Sequence, residues 1–264
     1  MNYKIIDFHT HPFFDDQYNL CNHTEYCNMS AENTKRDLQK LGVEKICGSV
    51  IKRDMRLTNK TFDDRRNLND YALKLKEFYG DFYYPGFHVH PDFVKESIEE
   101  IERMNKLGIK LIGELVPYLD CWQDFTNKGF YEILEVAEHY DMVVNVHSHA
   151  HPEGLDQMDK MVKDHKKLKI VAAHPGETDL FQRHLKRMEM SENYFLDLSG
   201  TGIFRHGLVR HGIDEFGAER FLYGSDYPIC NPANFVGGVA LDFLLSEEEK
   251  QKILYDNAKK LLNL

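Results

Sequence analysis

The chain lacks any block of lysine and arginine dense enough to follow a phosphate backbone; its 43 acidic residues outnumber the 33 basic ones, for a formal charge of -10. No nucleic acid partner is expected. No stretch approaches the roughly 18 uninterrupted apolar residues of a spanning helix, and no basic segment followed by an apolar one opens the chain, so no membrane partner is expected and the protein reads as cytoplasmic. The five cysteines, Cys21, Cys27, Cys47, Cys121 and Cys230, are odd in number, scattered and free of any C-x-x-C pair. That excludes a disulfide framework and fits a reducing compartment. Cys21, His23 and Cys27 lie close together, but a structural zinc site needs paired short spacings and a fourth ligand, so the stretch reads as a loop. No G-x-G-x-x-G follows the first apolar run, which removes the usual support for a dinucleotide.

What is present is an alternation of short β-rich runs with longer amphipathic segments, the pattern of parallel βα units. "YKIIDFH" is followed by "SAENTKRDLQKLG", with Ser30 placed to cap the helix and Gly42 to end it. "VEKICGSVI" precedes "DDRRNLNDYALKLKEFYG". "FYYPGFHVH" is a third strand, weakened by Pro85 and Gly86, and "DFVKESIEEIERMNKLG" leads to "IKLIGEL". "GFYEILEVAEHYD" precedes "MVVNVHSH", and "DQMDKMVKDHKK" precedes "LKIVAAH". A seventh unit pairs "ENYFLDLSG" with "LVRHGIDEFG"; an eighth runs from "ERFLYGSD" into residues 235–245. With no linker or low-complexity stretch in 264 residues, this points to α/β architecture: one (β/α)₈ TIM barrel spanning 1–264 as a single domain. "SEEEKQKILYDNAKKLLNL" is apolar at helical spacing and predicts a C-terminal helix packed on the barrel.

Catalytic residues of such a barrel sit at the C-terminal strand ends. Those ends carry His9 and His11 (strand 1), Glu114 (strand 4), His147 and His149 (strand 5), His174 (strand 6) and Asp226 (strand 8). These side chains suit zinc, manganese or iron. Residues i and i+2 of a strand share a face, so the two imidazoles of "HTH" can meet one ion. With 14 histidines the H-x-H spacing alone is weak; placement at the mouth is what lifts it. His88 and His90, ending the third strand, are read as structural or substrate-facing.

Together, "DFHTH", "IGEL", "NVHSH", "AAHPG", "LYGSDYP" and the late "DNAKKLL" resemble the amidohydrolase superfamily, and within it the amidohydrolase-related branch of compact metal-dependent hydrolases and decarboxylases. The resemblance covers nearly the whole chain. It implies His9, His11, His147 and Asp226 as metal ligands, and His174 as a ligand or a partner of the metal-activated water. It also implies Asp226 as general base. Glu114 departs from many mononuclear relatives and is similar to the "GE" of TatD-like nucleases, which use it on a two-metal centre. No lysine at that strand end supports a carbamylated bridge. One divalent ion, zinc first, is expected, with two kept open.

The expected activity is hydrolysis of a small-molecule amide, lactone or ester. The alternative enzyme reading is non-oxidative decarboxylation of an aromatic or unsaturated carboxylate, for which Arg205 would grip the substrate. From another class, the chain would be a non-catalytic binding barrel that keeps its metal as a staple; intact Asp226 speaks against that. His149 and Trp122 are further substrate-binding candidates. The long loop 12–29, with Phe13, Phe14, Tyr18, His23 and Tyr26, reads either as a lid or as packing on the rim. A homodimer is allowed by the sequence but not required by it.

Overall fold

A computed structural model of the protein describes residues 3–21, 29–57, 60–148 and 152–264. Eight parallel strands form one sheet in sequence order. They are β1 (Ile5–Asp7), β2 (Val43–Gly48), β3 (Tyr83–Phe87), β4 (Leu111–Leu115), β5 (Val143–His147), β6 (Lys169–Ala173), β7 (Tyr194–Asp197) and β8 (Phe221–Leu222). The sheet curls into a barrel because its ends join: Phe8 N donates to Tyr223 O at 2.9 Å, and Thr10 bridges Tyr227 in parallel. This is the expected TIM-barrel fold.

Helices follow the strands on the outside: α1 (Ala31–Lys40), α2 (Asp63–Tyr79), α3 (Val94–Lys106), the short α4 (Pro117–Asp120), α5 (Lys128–His139), α6 (Pro152–Asp164), α7 (Thr178–Met190), α8 (Leu208–Phe216) and α9 (Pro232–Ala240). Ser30 caps α1 by accepting from Asn33 N, as its sequence position suggested. Pro85 and Gly86 do not break β3. The helix α7 is absent from the sequence-derived pattern. Its buried face is Phe181, His184, Leu185, Arg187 and Met188, so a histidine and an arginine interrupt the apolar stripe. Both are satisfied inside: His184 Nδ1 lies 2.7 Å from Tyr194 Oη, and Arg187 pairs with Asp159 at 2.7 Å. None of the helices, among the described residues, is long and apolar enough to cross a membrane.

The barrel interior changes character along its axis. At the N-terminal end Ile6, Cys47, Leu111, Val143, Val171 and Leu222 pack together under Ala258, Leu261 and Leu262. These last belong to the terminal helix, which runs as α10 (Glu247–Gln251), a π-helical turn (Lys252–Asp256) and α11 (Asn257–Leu262). Asn257 Nδ2 anchors it by donating to Ala218 O and Phe221 O at 2.8 Å each. Strand alternation carries the same inward column to Asn145 and His147 on β5, Asp197 on β7 with Ser199 just after it, and Asp226 after β8. The apolar floor therefore gives way to a polar mouth.

Candidate metal centre

The strand ends converge on Glu114, which is buried at the end of β4. Its Oε2 lies 3.3 Å from His9 Nε2 and 3.4 Å from His11 Nε2. The two Nε2 atoms are 3.2 Å apart. Asp226 Oδ1 stands 3.7 Å from the first and 3.4 Å from the second. Glu114 Oε1 faces the other way, 3.0 Å from His147 Nδ1 and 3.6 Å from His174 Nε2. One carboxylate thus divides its oxygens between two donor groups.

This set fits a divalent cation. Nε2 lone pairs and carboxylate oxygens are all acceptors, so holding them 3.2–3.7 Å apart in a buried space needs positive charge between them. Such separations are also what ligands about 2.0–2.2 Å from one ion present to each other. His9, His11 and Glu114 would hold one ion together with Asp226; Glu114, His147 and His174 form a second group of donors.

Neighbouring groups aim each imidazole. His9 Nδ1 lies 3.0 Å from Asp197 Oδ2, and His11 Nδ1 lies 3.0 Å from Ser49 O, so in both rings Nε2 turns inward. Asp7, buried in β1, accepts from Ser225 N at 3.0 Å, Ser225 Oγ at 2.6 Å and His9 N at 3.3 Å. It fastens the first strand to the segment that carries Asp226. Gly224 lets the two come this close, since a Cβ there would sit 2.8 Å from His9 Cβ. His174 and Asp226 both hold left-handed backbone, with φ of 66° and 57°, a conformation uncommon outside glycine and frequent at functional sites.

The buried carboxylates and imidazoles shift one another's proton affinity. Burial alone would push the His9 imidazole down, but Asp197 and Glu114 override it and hold it well above its ordinary value. His11 follows the same logic and rises to about 9 through Asp226 and Glu114. For Glu114 burial opposes the charge, yet His9, His11 and His147 hold it well below the usual carboxylate range. Burial pushes His174 down and Asp7 up to about 7.

His9, His11, Glu114, His147, His174 and Asp226 come together; Arg205 and Trp122 do not join them. Arg205 is on the outer rim, ion-paired to Glu177 and lying over Phe204. Trp122 is 6% exposed, not open to the mouth, because Phe130 at 4.7 Å and Phe125 at 5.7 Å enclose it. His149 lies outside the described residues, as do His23, Tyr26 and Cys27. The described start of loop 12–29 packs on the rim: Phe13 is buried, Phe14 meets Tyr71 and Phe78, and Tyr18 lies tilted against Tyr71. His88 and His90 are buried against the carbonyls of Val50 and Asp120.

Sequence reasoning passed over Asp197, Ser199 and Asn145, although Asp197 ends an apolar strand just as the flagged histidines do. It also passed over Tyr118, whose half-exposed ring stands edge-on to His147 with centroids 5.2 Å apart.

Residues 6–264 match the family described as amidohydrolase. The chain belongs to the amidohydrolase family. A sequence search among curated proteins finds no match. In fold, this amidohydrolase-family chain is similar to 2,6-dihydroxybenzoate decarboxylase from Rhizobium, at 15% identity and a TM-score of 0.74 over 99% of each chain. It is similar to 5-carboxyvanillate decarboxylase from Novosphingobium aromaticivorans, solved with manganese and 4-hydroxy-3-methoxy-5-nitrobenzoic acid. There the identity is 16% and the TM-score 0.73, over 100% of this chain and 97% of that one. A Staphylococcus aureus protein assigned to the amidohydrolases aligns at 18% identity and a TM-score of 0.76, over 99% of this chain and 100% of that one.

Proposed function

We propose that this amidohydrolase-family protein is a metal-dependent hydrolase acting on a small-molecule amide, lactone or ester. The supporting observation is Glu114, a buried carboxylate with one oxygen toward His9 and His11 and the other toward His147 and His174. Three carboxylates, Glu114, Asp226 and Asp197, meet the histidines here. One divalent ion leaves that cluster a charge short of neutral, which favours an uncharged substrate; two would leave it a charge over.

A divalent ion, zinc or manganese, supplies Lewis acidity when bound and lowers the pKa of water from about 15.7 toward 7. Asp226 has Oδ1 beside His9 and His11 and Oδ2 3.9 Å from the Cys230 thiol, which donates to it. It is the group that takes a proton from the attacking water and returns it to the leaving nitrogen or oxygen. Asp197 and the Ser49 carbonyl keep His9 and His11 from rotating away. Tyr118 is the aromatic side chain at the mouth, beside His147.

Non-oxidative decarboxylation is the second reading, and the likeness to two decarboxylases favours it over hydrolysis. The side chains weigh the other way: the Arg205 guanidinium that would grip a carboxylate is paired to Glu177. One experiment separates the two. Protein grown with zinc or manganese is analysed for metal, then assayed over lactones, amides, esters and aromatic carboxylates, with Asp226→Asn as control. Acid release without carbon dioxide supports hydrolysis, and carbon dioxide release supports decarboxylation. Metal well under one equivalent would sink both.

A further inference from the structure

The loop leaving β7 contacts two of the candidate ligands and has no role in the chemistry above. Ser199 N donates to Asp197 Oδ1 at 3.1 Å, and Ser199 Oγ–H donates to the same oxygen. Asp197 Oδ2 faces His9 Nδ1 at 3.0 Å and takes Asn145 Nδ2 at 3.2 Å. A carboxylate accepts only, and a serine hydroxyl has one proton. That proton is used on Asp197, so the Ser199 oxygen has only lone pairs left to offer. They face His174 Nδ1 at 3.0 Å and His9 Nδ1 at 3.1 Å.

We propose that Ser199, held by Asp197, is a positioning residue that fixes His174 as the Nδ1–H tautomer, leaving its Nε2 as a bare lone pair 3.6 Å from Glu114 Oε1. The tautomer of an imidazole is set by what its other nitrogen meets. Gly200 completes the seat. It has φ of 63°, and a Cβ there would come within 2.4 Å of His174 Nδ1, so the ring is pressed against bare backbone. His174 then meets a cation or a proton as an acceptor and does not donate from Nε2 to an oxyanion. The inference rests on the proposed cation site but not on which reaction runs there.

The test is nitrogen-15 NMR of histidine-labelled full-length protein without metal, with the His174 signals identified by their loss in His174→Gln. Wild type shows Nδ1–H at His174, Ser199→Ala shows loss of that single pattern, and Ser199→Thr, which keeps the hydroxyl, restores it. Titration with manganese or zinc alone then shows affinity about 10–100-fold weaker in Ser199→Ala and near wild type in Ser199→Thr. Nε2–H at His174 in wild type overturns the proposal whether or not the Ser199 variants fold. So does a folded Ser199→Ala with unchanged tautomer and affinity. Gly200→Ala, which crowds the same nitrogen, should disturb the His174 signals as well.

Discussion

Glu114 Oε1 stands 3.0 Å from His147 Nδ1, and this contact ties the end of β4 to the end of β5 at the point where the other Glu114 oxygen turns to His9 and His11. Glu114→Gln keeps the shape but replaces one acceptor oxygen by an amide NH₂ that repels a cation. Elemental analysis should find less metal per chain than in wild type, and affinity should fall at least about tenfold. Unchanged stoichiometry and affinity would remove Glu114 from the cation site.

In the proposed hydrolysis Asp226 is the group that carries the proton. With metal at saturation, Asp226→Asn should lower the turnover rate about 10²–10⁴-fold, the usual share of general acid–base catalysis. A variant within a few fold of wild type would give the proton transfer to another group.

Asp7 gathers three donors, from Ser225 N, Ser225 Oγ and His9 N. Asn in its place has one acceptor oxygen and turns an NH₂ toward donors. Asp7→Asn should weaken metal binding by about tenfold with no change in the ligands themselves. Calorimetric titration checks it, and unaltered affinity would reduce Asp7 to a purely structural strut.

Beneath the mouth, Arg65 and Asp120 form an ion pair at 2.7 Å with both side chains fully buried. Removing one partner leaves the other charge uncompensated, so Asp120→Ala should cost about 3–5 kcal/mol in denaturant unfolding. A loss below about 1 kcal/mol would show that solvent reaches Arg65.

His88 titrates in a way that couples stability to pH. Burial, assisted by the nearby Arg65 charge, pushes its pKa down to about 3. The unfolded chain takes up that proton near 6.5, so between these values the unfolded state binds more protons and stability falls as pH falls. The slope is about 1.4 kcal/mol per pH unit for this group. His88→Asn should therefore lose less stability than wild type on going from pH 6.5 to 4.5, measured by chemical unfolding. Parallel pH curves would contradict the neutral, buried assignment.

Legibility in the sequence followed the range of the forces involved. The strand runs, the Ser30 cap and the placement of His9, His11, His147 and Asp226 at strand ends could be read directly. The helix α7 could not, since His184 and Arg187 look like surface residues until Tyr194 and Asp159 are brought to them. The direction of the Trp122 and Arg205 side chains could not be read either, because a rim position says nothing about which way a side chain turns. Trp122 turns into the core and Arg205 toward Glu177.

The sequence by itself determined the repeating βα order and the kinds of ligand available, because apolar period, strand alternation and capping act within a few residues. Only the tertiary structure decided which strand ends meet at Glu114 and which neighbour aims each imidazole. The physical reason is distance along the chain: Asp197 orients His9 across 188 positions and Asp7 holds Ser225 across 218, contacts that exist only once the barrel has closed.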